Sequence, residues 1–378
     1  MASRADVVIL GAGFAGAATA YHLAKRGVRD VVVLEREPAP GLHASGRNAS
    51  LVFLLMEHAD EAQLAIEGAE FYASPPEDFS SRPLLRRAGS LLVASDAGIG
   101  DIVAAARDAE SLGVEVRRLS PQEAAERVPA LHDAAIAGAL ENPADGVVDV
   151  RALLEGYLGA ARRAGATIRC NERVTAIAAP RGEVTEVTTG TDRIETRIVV
   201  DAAGAWAGEI GRLAGAAPVG IAPFRRHIFL GRPAVGIDPG GPFVWHSNVD
   251  VYFRPEGEGL LLSPCDQTPH AAADPEVDGD SETWLREKLG RAFPSLAGIE
   301  TTGVRACLRT FAPDGRFVIG RDPRVEGFVW VAALGGHGMS TSYGVGRLAA
   351  AAVIGERSPE LERFSPARFP SAEDVSAR

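Results

Sequence analysis

A glycine-rich turn between two apolar runs constrains this chain more than any other stretch. From Asp6 to Glu35 it reads DVVILGAGFAGAATAYHLAKRGVRDVVVLE. The run Val7 to Leu10 enters Gly11-Ala12-Gly13-Phe14-Ala15-Gly16, and a helix-forming segment continues to about Lys25. A second run, Val31 to Leu34, ends on Glu35. Strand, glycine turn, helix, strand and carboxylate in that order are the dinucleotide-binding βαβ pattern. Gly11 permits the tight turn, Gly13 lets the backbone approach a pyrophosphate, and Gly16 lets the helix lie close to the sheet. The helix N-terminus offers unpaired N–H groups and a partial positive charge to phosphates. Glu35 stands where the adenosine ribose hydroxyls need an acceptor.

At 378 residues the chain is long enough for two domains. Its net charge of −11 argues against a nucleic-acid or anionic-membrane surface. Cys170, Cys265 and Cys307 have neither disulfide nor metal-ligand spacing, which fits a reducing cytoplasm and no metal site. The chain enters its first strand within a few residues, leaving no room for a signal peptide. No apolar run approaches the roughly 18 residues of a membrane helix. The expectation is a soluble, cytoplasmic protein with no transmembrane segment.

Beyond Glu35, Pro38, Pro40 and Gly41 end the strand region. Ala44-Ser45-Gly46-Arg47-Asn48-Ala49-Ser50 is small and polar, which suits either close approach to a flat ligand or a solvated loop opening the next helix. Helices are expected over 61–72 and 96–112, from Ser120-Pro121, from Asp149 to Arg163, over about 281–291, and from Thr341 to Val353. Leu84 to Ala94 reads as a strand pair or bent strand, and Asn142 to Gly146 as a turn-rich linker. The buried strand 197–200 opens onto Asp201-Ala202-Ala203-Gly204-Ala205-Trp206, whose small residues suit either cofactor approach or close packing. From Pro218, short strand candidates at 224–230, 241–246, 251–254 and 259–263 indicate antiparallel sheet. A last buried strand, 327–333, runs into Leu334-Gly335-Gly336-His337-Gly338-Met339-Ser340. The fold expected is α/β: a Rossmann-like domain with an inserted α+β domain carrying a mostly antiparallel sheet. The first domain comprises 1–82, 144–217 and 313–365, the inserted one 83–143 and 218–312, and 366–378 is a flexible tail.

GAGFAG with Glu35, ASGRNAS, DAAGAWA and VRACLRTFAPDGRFVIG…GFVWVAALGGHG together resemble the D-amino-acid oxidase and sarcosine oxidase superfamily of FAD enzymes. Within it the chain looks closest to D-arginine dehydrogenase and related D-amino-acid dehydrogenases, from about Asp6 to Ile354. The resemblance implies FAD along the Rossmann-like domain, with its ring at the domain interface. Gly11, Gly13, Phe14, Ala15, Gly16, Glu35 and Arg36 would hold the ADP half. Ser45, Gly46, Arg47, Asn48 and Ala49 would lie along the ring and ribityl side, and Val174 and Gly204 along the adenosine and pyrophosphate. Gly336, His337, Gly338 and Met339 would begin a helix whose N–H groups face the reduced flavin's negative edge.

Arg226, Arg309 and Tyr252 match the positions that clamp the substrate carboxylate, a task suited to the guanidinium fork. Where D-arginine dehydrogenase places a glutamate for a basic side chain, this chain has Ser90, and Leu51 and Met56 replace its polar loop residues. With Phe53 they make an apolar side-chain pocket, in which an unpaired guanidinium would lose several kcal/mol. The expected reaction is hydride transfer from a D-amino acid with an apolar or aromatic side chain to flavin N5. The resulting imino acid hydrolyses to a 2-oxo acid and ammonia, and the electrons pass to oxygen or a carrier. His337 would either accept the amine proton or only hydrogen-bond. Cys307 stands where sarcosine oxidases carry the cysteine bonded to flavin, so it is either that link or an inert buried thiol. It keeps oxidation of an N-methyl or cyclic secondary amino acid, such as sarcosine or proline, as the alternative. Neither lysine, Lys25 nor Lys288, matches the oxygen-activating lysine of sarcosine oxidases, which favours a dehydrogenase.

Overall fold

A computed structural model describes residues 3–233 and 236–369. Six strands form the first sheet, in the order Thr167–Arg169, Val31–Leu34, Val7–Leu10, Val199–Asp201, Phe328–Ala332, Val318–Arg321. The first five are parallel, and Val318–Arg321 is an antiparallel edge. Val7, Ile9, Val200, Val329 and Val331 face the helices Phe14–Lys25, Val150–Arg163 and Ser342–Val353. Val8, Leu10, Val199, Phe328 and Trp330 face Ala207–Ala214 and a small four-stranded sheet. Burial on both faces is why these strands read as continuous apolar runs rather than as alternation.

The second sheet has nine strands. Its order is Thr268–Pro269, Ala222–Arg232, Gly259–Ser263, Val251–Glu256, Phe243–His246, Ser90–Ala94, Gly138–Asn142, Arg117–Leu119, and Glu300–Phe311 pairs along Ala222–Arg232. Every pairing is antiparallel except that of Phe243–His246 with Ser90–Ala94. Side chains alternate between faces along a strand. Phe229, Phe253, Leu260 and Leu262 therefore turn toward the helix Ser281–Ala292 and make one core. Arg226, Ile228, Tyr252, Arg254, Arg305, Cys307 and Arg309 occupy the alternate positions. That second face looks onto the site.

Several local readings need correction. Leu84 to Ala94 divides between sheets: Leu85–Arg87 joins a small sheet with Gly146–Val148 and Leu51–Val52, while Ser90–Ala94 joins the large one. Asn142 to Gly146 is a buried corner between two strands rather than a linker. Turn residues there conceal Asp145, fully buried, which accepts hydrogen bonds from Leu54 N–H (3.0 Å), Ser90 Oγ–H (2.7 Å) and Asn142 Nδ2–H (3.1 Å). The last helix starts at Ser342, so Gly336 to Met339 is a turn before it. Gly335 and Gly336, at φ +55° and +91°, lie outside the right-handed helical region. Of the expected tail, Pro366–Arg368 form one 3₁₀ turn with Arg368 paired to Asp314, and 370–378 lie outside the described residues. No helix among the described residues is long and apolar enough to cross a membrane.

Candidate active site

The glycine turn is built by steric necessity. A Cβ on Gly16 would sit 1.9 Å from the Gly11 carbonyl oxygen, and one on Gly11 (φ +104°) would sit 2.5 Å from that of Ala202. The helix Phe14–Lys25 can approach the turn this closely only without those side chains. It has no acid in its first turn; the Phe14 N–H donates to Ser45 Oγ (3.0 Å), and the positive end otherwise offers its first-turn N–H groups to an anion. Glu35, 8% exposed, accepts from Ala12 N–H (2.9 Å) and Glu37 N–H (3.0 Å). A carboxylate has about four lone-pair sites, which leaves acceptor capacity for a ribose diol.

A cavity of about 690 Å³ runs from this turn to the second sheet, within the usual size of a cofactor or ligand pocket. Glu35, Arg36, Val174, Gly204 and Trp206 line one part of it. Val174 lies at a register break in its strand pair, where the backbone departs from the ladder. The Arg36 guanidinium stacks 4.1 Å from the Trp206 ring centroid. Ser45, Arg47, Asn48 and Ala49 also line the cavity, and their loop leads into the short strand Leu51–Val52 rather than opening a helix. Arg47 is paired with Asp274.

At the second sheet the walls include Phe53, Trp245, Tyr252, Arg309 and His337. Arg309 packs against Gly336, where an added Cβ would lie 2.7 Å from its Nε. Burial, then the like charge of Arg226, lowers the Arg309 pKa, while Tyr252 and the thiols of Cys307 and Cys265 oppose the shift. The Tyr252 hydroxyl and Arg226 Nη1 are buried with no hydrogen-bond partner among the described residues. Arg226 is anchored otherwise, Nε donating to Asp266 O (2.9 Å) and Nη2 to Cys265 O (3.1 Å). Burial pushes the Tyr252 phenol up to about 12. The His337 imidazole is pushed down to about 4 by burial, then by Arg309 and Arg226, so it is neutral at pH 7. Burial raises the Cys307 thiol against the pull of Arg309, Arg226 and Arg305.

Leu51, Phe53, Tyr252, Arg309, Gly336, His337, Gly338 and Met339 thus all line the one cavity, as does Cys307. Gly16, Gly46, Met56, Ser90 and Arg226 are not part of the lining. Ser90 is turned to Asp145, and Gly46 makes a tight turn in which a Cβ would meet Gly41 O at 2.4 Å. Phe243, Trp245 and Trp206 line the cavity without having been assigned a role from sequence. Phe243 and Trp245 sit at alternate positions of one strand, a period-2 signal that places both on one face. Phe53 lies 5.8 Å from Phe243 and 5.3 Å from Trp245, ring centroid to centroid.

The family model for FAD dependent oxidoreductase (DAO) matches residues 6–352. Among curated relatives, the mouse mitochondrial pyruvate dehydrogenase phosphatase regulatory subunit is 27% identical over 97% of this chain and 43% of its own length. Mouse mitochondrial sarcosine dehydrogenase is 26% identical over 96% of this chain and 41% of its own length. The chain therefore spans less than half of either relative. Glycine oxidase from Geobacillus kaustophilus superposes with TM-score 0.84 at 25% identity, covering 98% of this chain and all of that one. L-proline dehydrogenase from P. horikoshii superposes with TM-score 0.87 at 21% identity over 98% of both chains, a likeness of fold alone. The acid-free helix start, the glycine turn and the long cavity suit the pyrophosphate and rings of FAD. With a match over nearly its whole length, this chain belongs to the DAO family of FAD-dependent oxidoreductases.

Proposed function

We propose that the protein oxidises the C–N bond of an amino acid whose carboxylate rests on Arg309, and that D-amino acids with apolar or aromatic side chains are its substrates. The observation that carries this reading is the set of cationic and hydroxyl groups on one face of the second sheet. Arg309 and Tyr252 line the cavity, and the Tyr252 hydroxyl and Arg226 Nη1 are buried with no partner among the described residues. An arginine fork binds a carboxylate bidentately, and a phenol can add a third donor. Bound FAD supplies the two-electron acceptor. Neutral His337 serves as a hydrogen-bonding group, since an imidazole with a pKa of about 4 is a weak base near pH 7. Leu51, Phe53, Phe243 and Trp245 offer a side chain only apolar surface and the indole N–H, which is already bonded to Asp250 (3.1 Å).

Lys288 donates to the carbonyls of Asp250 (3.0 Å) and Pro264 (2.6 Å) and does not line the cavity. This supports passage of electrons to a carrier rather than activation of oxygen by that lysine. The free cysteines support a cytoplasmic setting. A second reading, oxidation of an N-methyl or cyclic secondary amino acid, is favoured by Cys307 in the cavity lining and by a relative named for sarcosine. The raised Cys307 pKa opposes a thiolate link, because the nucleophile is the thiolate.

Anaerobic bleaching of the flavin band against D-, L- and N-methyl amino acids separates these readings. Bleaching by apolar D-amino acids, with colour released on acid precipitation, supports the first. Bleaching by sarcosine or proline moves the assignment to the second, and colour retained by the precipitate makes Cys307 the link. No bleaching by any amine overturns both.

A further inference from the structure

Two arginines of the second sheet reach across to the cofactor loop, and neither belongs to the carboxylate site. Arg254, 3% exposed, donates from Nε to Ala49 O (2.7 Å) and from Nη1 to Pro255 O (2.8 Å), and it pairs with Glu256. Arg305 donates from Nη2 to Asn48 O (3.0 Å), while its Nε is buried without a partner among the described residues. Both guanidiniums thus give donors to carbonyls of the cofactor loop, and Arg254, the buried one, would lose more from leaving its donors unpaired.

What they hold is a strained loop. Asn48 folds back on itself, with Oδ1 accepting from Ser50 N–H (2.8 Å) and Nδ2 donating to Ser45 O (2.8 Å). Ser50 has φ +60°, a left-handed conformation that a side-chain-bearing residue keeps only where its surroundings impose it. In a planar trans peptide, C=O and N–H point in opposite directions. With Asn48 C=O turned to Arg305, the N–H of Ala49 points away from the second sheet. That amide has no acceptor among the described residues. Asn48 and Ala49 line the FAD cavity, whereas Arg254 and Arg305 do not.

We infer that Arg305 and Arg254 are positioning residues for FAD: Arg305, by holding the Asn48 carbonyl, turns the Ala49 N–H toward the cofactor cavity, and Arg254, by holding the Ala49 carbonyl, fixes the next peptide, whose Ser50 N–H is bonded to Asn48 Oδ1. The second sheet would then set the geometry of the FAD site as well as the substrate site. The inference is independent of which amine is oxidised.

The test uses full-length Arg254→Gln, Arg305→Gln and Arg305→Lys, with Arg118→Gln as control, since Arg118 is paired with Glu110 on the surface. Three quantities are read: the FAD dissociation constant of the apoprotein, the position of the bound flavin's visible band, and hydrogen exchange of amides 47–51. Loss of one charge-assisted hydrogen bond should weaken FAD roughly tenfold in either Gln variant. It should also shift the band and speed exchange in the loop, with partial recovery in Arg305→Lys and no change in Arg118→Gln. If Arg254→Gln does not fold, the half-exposed Arg305 decides alone. A folded Arg305→Gln with unchanged FAD affinity, band and exchange overturns the inference.

Discussion

Among single side chains, the proposed chemistry rests most on Arg309. Its guanidinium faces the cavity under the influence of Arg226, Tyr252 and two thiols. Arg309→Met should raise KM for an amino acid on the order of a hundredfold with FAD retained, as expected for a lost buried charge partner. Arg309→Lys should restore little, because a point charge lacks the fork. An unchanged KM would place the carboxylate elsewhere. Asp145 gives a second residue-scale prediction. Burial raises its pKa to about 8, so between about pH 4 and 8 the folded protein keeps a proton that the unfolded chain has lost. Stability should fall as pH rises through that window. Asp145→Asn should raise the melting temperature at pH 8 and have little effect near pH 4. A difference between wild type and variant that does not vary with pH would show that Asp145 does not titrate in this way. That Arg309, Tyr252 and His337 line one cavity was legible from the chain, Arg309 and His337 through their motifs and Tyr252 through its matched position. Asp145 was not, since Asn-Pro-Ala-Asp-Gly has the composition of an exposed turn and only the tertiary fold buries it.

Elements were readable where one period dominated. The βαβ start, the Ser120-Pro121 capping box and the helix capped by Asp149 follow from local chemistry, and the structure has them. The turn before the last helix was misread because small residues fit a helix start and a loop equally well. Its two glycines have different work to do. A Cβ on Gly336 would press on Arg309 Nε at 2.7 Å, whereas on Gly335 the nearest atom is Phe311 Cε1 at 3.4 Å. Gly336→Ala should therefore weaken substrate carboxylate binding far more than Gly335→Ala, measured as KM for one amino acid. Equal effects would mean that left-handed φ, common to both, is the only constraint. The first helix offers a parallel contrast. Gly16→Ala forces the helix off the turn and should abolish tight FAD binding, whereas Gly27→Ala meets nothing within 4 Å and should cost only about 1 kcal/mol of strain with FAD kept. FAD affinity of the two variants measures this directly.

Across the whole molecule, the cofactor cavity is shared between both sheets, and so is the main core. Strand residues Val7 and Ile9 of the first sheet belong to the same apolar cluster as Leu92 and Phe243 of the second. Strand order and the pairing of Leu51–Val52 with Gly146–Val148 could not be read from the chain, because they depend on contacts between distant segments. Such a shared core makes a definite claim about FAD removal. If FAD alone joined two otherwise independent bodies, the apoprotein would melt in two steps. With a continuous core it should melt in one, at a lower temperature. Added FAD should then raise the midpoint steadily, contributing about 4 kcal/mol at a thousandfold excess over its dissociation constant. Calorimetry of apoprotein and FAD-loaded protein separates the cases. Two resolved apoprotein transitions would mean that the shared cluster linking Leu92 and Phe243 to the first sheet contributes little, leaving the cofactor to make the two sheets one cooperative unit.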